Sequence, residues 1–163
     1  MKFETFRWLF PIAITFHNLE EAIWLPGWSQ NIGKWHPPVG RYEFWFAVAL
    51  LTALAYVLMG LSIRHGKQSL ATYLFVGYAF AMLLNVFMPH LISSLFLHRY
   101  SPGLATALII NLPITALTWR LAVRDGFVSE KRCLLVSLGV SVVLLASVPG
   151  LFFLAKHLFG PSG

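Results

Sequence analysis

The chain has 163 residues, of which 58% are hydrophobic and only 11% are charged, and its mean hydropathy is +0.72. Soluble domains carry about 25% charged residues, so this composition excludes an ordinary soluble domain and indicates a helical membrane protein. The formal net charge of +6 does not indicate a nucleic-acid-binding protein, because the basic residues fall between long apolar stretches and no nucleic-acid-binding motif accompanies them.

Apolar stretches of membrane-spanning length occur five times along the chain. A helix needs about 20 apolar residues to cross the hydrocarbon core of a bilayer. We therefore expect an all-α polytopic bundle that forms one membrane domain over residues 1–163. The predicted spans lie at approximately 6–25, 42–63, 70–97, 102–119 and 134–155.

Two local signals refine the third and fourth spans. Pro89 lies inside the third span, where proline removes a backbone hydrogen bond and predicts a kink. Ser101 is followed by Pro102, a pair that predicts an N-cap and the first helical residue of the fourth span.

The basic residues near the ends of the spans are divided unequally between the two sides of the membrane. The side of the amino terminus holds eight: Lys2, Arg7, Arg64, Lys67, Arg120, Arg124, Lys131 and Arg132. The opposite side holds four: Lys34, Arg41, Arg99 and Lys156. Because cytoplasmic ends carry the excess of basic residues, we expect a cytoplasmic amino terminus and an extracytoplasmic carboxyl terminus in the plasma membrane.

The first span contains a polar cluster in its middle, in the stretch "PIAITFHNLEEAIWLPGW". His17, Glu20 and Glu21 are spaced three and four residues apart, so a helix places both carboxylates on the side of the histidine. A charged side chain within the hydrocarbon core costs a few kcal/mol and is functional by default. The cluster therefore predicts a functional site inside the membrane.

Three polar residues from different spans are expected at a similar depth. His17 lies seven positions before an interfacial tryptophan, so helical rise places it roughly 10 Å below the outer boundary. His90 lies nine positions before the basic end of the third span, and Asn111 lies nine positions after the start of the fourth, both roughly 13 Å deep. Glu43 begins the second helix on the same side. These positions predict one polar chamber in the outer half of the membrane.

Imidazole nitrogens and carboxylate oxygens are ligands for Zn²⁺, Fe²⁺ and Mn²⁺. A bound cation would also offset the desolvation and mutual repulsion of clustered carboxylates. The predicted ligand set comprises His17, Glu20, Glu21, Glu43 and His90, and Glu20 and Glu21 are the candidate catalytic residues. His98 and Asn111 are secondary candidates.

Structural roles remain open for several of these residues. Glu43 is also placed to pair with Arg41 or to cap its helix, and His98 to lie at the interface. Asn111, two positions before a proline, is placed to satisfy freed backbone. Asn85 precedes Pro89 by four positions, which favours a structural role for it.

The motif "HNLEEAIWLPGW" resembles the signature of the HXXEE family of small multi-helix membrane proteins, and the later "NVFMPH", "RYSPG" and "LATA" are similar to that family's pattern. The family takes its name from the motif rather than from an activity. The resemblance therefore implies a helical membrane fold and functional roles for His17, Glu20 and Glu21. It implies no reaction and no cofactor.

The residues themselves favour a membrane metalloenzyme, most simply a zinc-dependent hydrolase of a lipid or another hydrophobic small molecule, with iron or manganese as alternative metals. Two other functions remain open. One is a metal-free acid/base lipid isomerase or cyclase, and the other is a small proton-coupled transporter. No nucleic-acid partner is expected, and the sequence does not specify an oligomeric state.

Overall fold

The structure is a computed structural model that describes residues 1–33 and 37–160. Lys34, one of the basic residues used to predict orientation, lies outside these ranges. The described residues form helices and no strand. The helices are α1 (Phe3–Phe6), α2 (Leu9–Gln30), α3 (Arg41–His65), α4 (Leu70–Leu97), α5 (Leu104–Arg124) and α6 (Glu130–Phe159). The predicted all-α bundle is confirmed, and α2 to α6 correspond to the five predicted spans.

Four of the described helices, α3 to α6, are long and apolar enough to cross a membrane. Helix α2 has 22 residues, but the polar cluster in its middle lowers its hydropathy, and it is not among the four. Several helices are longer than the predicted spans, because hydropathy marks the apolar centre of a helix while the backbone helix continues through its polar ends. Helix α2 thus reaches Gln30 and α6 begins at Glu130.

Helices α4 and α5 each contain a widened, π-type turn. In α4 the turn covers Val86–Leu91 and separates the regular helix Leu70–Asn85 from Ile92–Leu97. Met88 has φ −131° and ψ 118°, the extended conformation that a following proline favours. The kink predicted at Pro89 is therefore present. In α5 the turn covers Ala107–Asn111.

The predicted start of α5 was wrong. Ser101 does not cap the helix with its side chain; its carbonyl oxygen accepts a hydrogen bond from the amide of Leu104, at 3.0 Å. The N-cap is Gly103, whose φ of +86° is left-handed. The chain makes a tight turn after Pro102 before helical geometry begins, and only glycine adopts that turn readily.

Helix α4 is the centre of the bundle and packs against α3, α5 and α6. An aromatic contact joins α2 to it: the ring of Phe10 lies 5.5 Å from the rings of both Phe75 and Tyr78, centroid to centroid. His17 follows Phe10 by seven residues, about two helical turns, and so lies on the same face of α2. The aromatic core therefore turns the polar cluster of α2 towards α4 and α5.

Gly77 allows α4 and α6 to approach closely. A Cβ atom at this position would lie 3.1 Å from Cγ2 of Val140 and 3.3 Å from Cα of Ser137. Small residues at helix contacts permit such packing in membrane bundles. Gly77→Val should lower the free energy of unfolding in detergent by about 1–3 kcal/mol, the usual penalty for overpacking.

Gly60→Val is the matched control, because Gly60 also lies within a helix and a Cβ atom there meets nothing within 4 Å. Denaturant titration of both variants measures the difference. Equal losses of stability would contradict a close α4–α6 contact.

Candidate metal centre

His17, Glu21 and His90 come together between α2 and the widened turn of α4. Nε2 of His17 lies 3.8 Å from Oε2 of Glu21, and Nε2 of His90 lies 3.4 Å from Oε1 of the same carboxylate. The two imidazole rings are 4.8 Å apart and nearly perpendicular, at 89°. One potential ligand atom from each residue lies within 4.8 Å of the others. Both histidines are 1% exposed.

Each histidine reaches the group by a different local structure. His17 continues the buried face of α2 begun by Phe10 and Ile14, and Glu21 follows one turn later. His90 belongs to the widened turn Val86–Leu91. Such turns change the direction of the side chains that follow and occur frequently at functional sites.

One nitrogen of each imidazole has a side-chain oxygen beside it. Nδ1 of His17 lies 3.1 Å from Oγ1 of Thr106, and Nε2 of His90 lies 2.9 Å from Oδ1 of Asn85. The other nitrogens, Nε2 of His17 and Nδ1 of His90, are buried and make no hydrogen bond of ordinary geometry among the described residues. The Asn85 side chain also lies near the His17 ring, and the Pro102 carbonyl lies near the His90 ring. A buried polar atom left without a partner costs about 1–3 kcal/mol. A cation shared with Glu21 would give Nε2 of His17 a partner, whereas on His90 the nitrogen that faces Glu21 is Nε2, which already contacts Asn85.

Glu20 is held in a different way from Glu21. Its Oε1 accepts a hydrogen bond from the Gly103 amide at 3.0 Å and another from the Tyr100 hydroxyl. Its Oε2 accepts from the Thr106 amide at 3.0 Å and from the Thr106 hydroxyl at 2.7 Å. Glu20 therefore binds the turn before α5 and the first residues of that helix, whose amides have no helical partner.

The Tyr100 hydroxyl is a hydrogen-bond donor at this end of the bundle. Tyr100 lies in the connection between α4 and α5. Partial burial, together with its hydrogen bond to Glu20, raises the pKa of Tyr100 above its ordinary value. The tyrosine thus remains protonated at physiological pH, and its oxygen also accepts a hydrogen bond from the Ala105 amide at 3.1 Å.

The remaining predicted site residues lie elsewhere. Glu43 is buried in the first turn of α3, outside the group formed by the two histidines and Glu21. His98 is exposed at the end of α4, where its φ of +49° ends the helix. Asn111 is fully buried in the widened turn of α5, and neither its amide nitrogen nor its amide oxygen has a hydrogen-bond partner among the described residues.

Sequence reasoning gave no site role to four residues that contact the group or Glu20, namely Asn85, Tyr100, Gly103 and Thr106. The spacing to Pro89 favours a structural role for Asn85, yet its side chain contacts His90 directly. All four residues lie in "NVFMPH", "RYSPG" or "LATA", the segments that carry the family resemblance. That resemblance was the available signal for them.

The fold and this group together define a helical membrane protein with a buried cluster of two histidines and a glutamate. The chain belongs to the family described as proteins of unknown function with an HXXEE motif, whose profile matches residues 8–118. It is similar to "Uncharacterized protein YrkK" of Bacillus subtilis (strain 168), at 38% identity over 143 residues that cover 88% of this chain and 90% of the relative. No solved structure matches the chain.

The backbone of Gly103 lies directly against the site. A Cβ atom there would lie 2.7 Å from Cε1 of His90 and 2.9 Å from both Cε1 of His17 and Cγ of Glu21. Gly103→Ala should therefore displace these side chains in addition to straining a left-handed residue, which alone costs about 1–2 kcal/mol. We expect a clear loss of thermal stability in detergent.

Gly126→Ala is the control for backbone strain alone. Gly126 has a similar φ of +72°, but a Cβ atom there meets nothing within 4 Å. If the two alanine variants lose the same stability, Gly103 does not pack against the group.

Asn111 should contribute little to stability. Replacing a buried polar group without a partner by an apolar one of similar shape is nearly neutral or stabilising. Asn111→Leu should therefore unfold at the same temperature as the unmodified chain or a higher one. The matched control is Asn18→Leu, because the Asn18 amide donates to Oγ1 of Thr52 at 2.7 Å and its loss leaves that contact unmade. A lower melting temperature for Asn111→Leu than for Asn18→Leu would refute this expectation.

Proposed function

We propose that this protein is an integral membrane metalloenzyme, most simply a zinc-dependent hydrolase that acts on a lipid or another hydrophobic small molecule. The observation that supports it is the group of His17, Glu21 and His90, in which Nε2 of both imidazoles faces the Glu21 carboxylate and Nε2 of His17 is buried without a hydrogen bond among the described residues. Two histidines and one glutamate are a ligand set found in catalytic zinc sites, where the fourth position is taken by water or substrate.

Zinc suits this set because three protein ligands leave one position open. Iron and manganese accept the same ligand types and remain alternative metals. Zinc held by these residues would lower the pKa of a bound water to about 7 and so supply a nucleophile at neutral pH. Glu21 is the carboxylate ligand in this proposal. Glu20 already accepts four hydrogen bonds, which argues against its acting as a second ligand or as a free general base.

A hydrophobic substrate is supported by an apolar groove beside the site. The groove lies between α2 and α3 and has a volume of about 560 Å³. Asn18 and Ala22, which line it, each follow a site residue of α2 by one position. Its volume and apolar walls, among them Trp45 and Val48, suit a hydrocarbon chain.

The proposed location is the plasma membrane, with the amino terminus in the cytoplasm. The excess of basic residues on the amino-terminal side supports it. In that orientation the metal centre lies in the outer half of the membrane. Substrate would then enter from the outer leaflet or the extracytoplasmic water.

Metal analysis of the purified protein tests the proposal. After incubation with Zn²⁺ and removal of excess metal, the unmodified chain should retain about one zinc per chain, as expected for a single three-ligand site. His17→Ala, His90→Ala and Glu21→Gln should each abolish stoichiometric binding. His98→Ala is the matched control, because this histidine is exposed and lies outside the group. A chain that retains no zinc, iron or manganese would overturn the metal proposal.

The reaction itself is tested with a membrane lipid extract analysed by mass spectrometry. We expect new hydrolysis products that disappear when the metal is removed by a chelator and return when zinc is restored. Products that survive chelation would favour the metal-free acid/base function. The position of Glu21 beside both imidazoles, at 3.4 and 3.8 Å, supports that alternative, since a small approach brings the groups within the roughly 2.6–3.2 Å that proton transfer requires. Substrate flux in proteoliposomes without any product would favour a transporter.

A further inference from the structure

A continuous set of hydrogen bonds connects Glu20, through the Thr106 hydroxyl, to the ring of His17. This set is the Glu20–Thr106–His17 relay. We propose that Glu20 and Thr106 are positioning residues that fix the proton of His17 on Nδ1 and keep Nε2 free to bind the metal. This inference rests on the proposed metal site for its purpose, but the position of the proton is testable without any metal.

The argument depends on the single hydrogen of the Thr106 hydroxyl. Oγ1 of Thr106 lies 2.7 Å from Oε2 of Glu20 and 3.2 Å from the carbonyl oxygen of Gly103. Both of these oxygens are acceptors, so the hydroxyl hydrogen points towards one of them. The shorter distance and the charge of a carboxylate favour Glu20, because charge-assisted hydrogen bonds are shorter and stronger.

The same hydroxyl oxygen lies 3.1 Å from Nδ1 of His17. Since its hydrogen is already donated, Oγ1 of Thr106 can only accept in this contact. Nδ1 of His17 must therefore carry the proton. Nε2, the buried nitrogen that lies 3.8 Å from Oε2 of Glu21, is then left with its lone pair available.

The environment of Glu20 keeps it an acceptor. Four donors converge on its two oxygens: the amides of Gly103 and Thr106 and the hydroxyls of Tyr100 and Thr106. A protonated carboxyl group would direct its own hydrogen against one of these donors, whereas an ionised carboxylate accepts from all four. Glu20 is thus held in the form that orients the Thr106 hydroxyl.

This assignment gives the two adjacent carboxylates of the motif different tasks. Glu21 contacts both imidazoles and is the proposed ligand, whereas Glu20 acts on His17 only through Thr106. Groups that hydrogen-bond a metal-binding histidine fix its tautomer, and losing one typically weakens metal binding about 10- to 100-fold.

The test is ¹⁵N NMR of histidine-labelled protein in detergent micelles, with the His17 signals assigned by their loss in His17→Gln. Protonated and unprotonated ring nitrogens give separate signals. In metal-free unmodified protein we expect His17 to be protonated on Nδ1. In Thr106→Val the nitrogen loses its acceptor, and a substantial Nε2-protonated population should appear. Thr106→Ser keeps the hydroxyl and should keep the original tautomer.

The matched control is Thr118→Val, because Thr118 is a fully buried threonine of the same helix whose hydroxyl donates only to the Ile114 carbonyl. It should leave the His17 signals and zinc affinity unchanged. Glu20→Gln tests the other end of the relay, because a neutral amide cannot accept from all four donors and should also shift the tautomer.

The outcomes for the tautomer and for the metal are separable. Zinc affinity about 10- to 100-fold weaker in Thr106→Val, together with the tautomer shift, supports both proposals. A tautomer shift in a chain that binds no metal supports the relay and overturns the metal site. A His17 tautomer that is the same in Thr106→Val, Glu20→Gln and the unmodified chain overturns the relay, whatever the metal affinity.

Discussion

A carboxylate buried among apolar helices must find hydrogen-bond donors or positive charge, because water is not there to solvate it. Glu20 and Glu21 are neighbours in sequence, yet they meet this requirement in different ways. Glu20 is surrounded by donors from the start of α5. Glu21 has two imidazoles beside it. The positions of α2, α4 and α5 at this end of the bundle all depend on these two arrangements.

The backbone around these carboxylates departs from regular helix where the polar side chains require it. His90 and Asn111 both belong to widened turns, and Gly103 is left-handed. The widened turn of α5 packs against α2 and against the widened turn of α4. A widened turn loses hydrogen-bond quality relative to a regular helix. At the turn of α4, which brings His90 to Glu21, the position of the side chain therefore outweighs the regularity of the helix.

The sequence was sufficient to predict the bundle, the order of its long helices and the kink at Pro89, because hydropathy and proline chemistry act locally. It was also sufficient to group His17 with His90, because helical rise converts sequence position into depth. It was not sufficient to separate Glu20 from Glu21. Their difference depends on the turn before α5, and that turn contains the left-handed Gly103, which no periodicity reveals. The contact of Asn85 with His90 likewise depends on the widened turn, which places side chains five residues apart on the same side of the helix.

The inner part of the bundle bears on the choice between an enzyme and a transporter. Below His17, the buried face of α2 continues through Ile14 to Phe10, which are apolar. Farther in, the Asp125 carboxylate accepts hydrogen bonds from the Arg124 side chain and from the Phe3 amide. The hydrogen bond from Arg124 lowers the pKa of the Asp125 carboxyl. These contacts hold the amino terminus against the α5–α6 connection. A proton carrier needs ionisable groups that reach both sides of the membrane. The apolar and aromatic residues that separate His17 from Arg7 along the chain leave no such path on this face, which favours chemistry at a site that opens to one side.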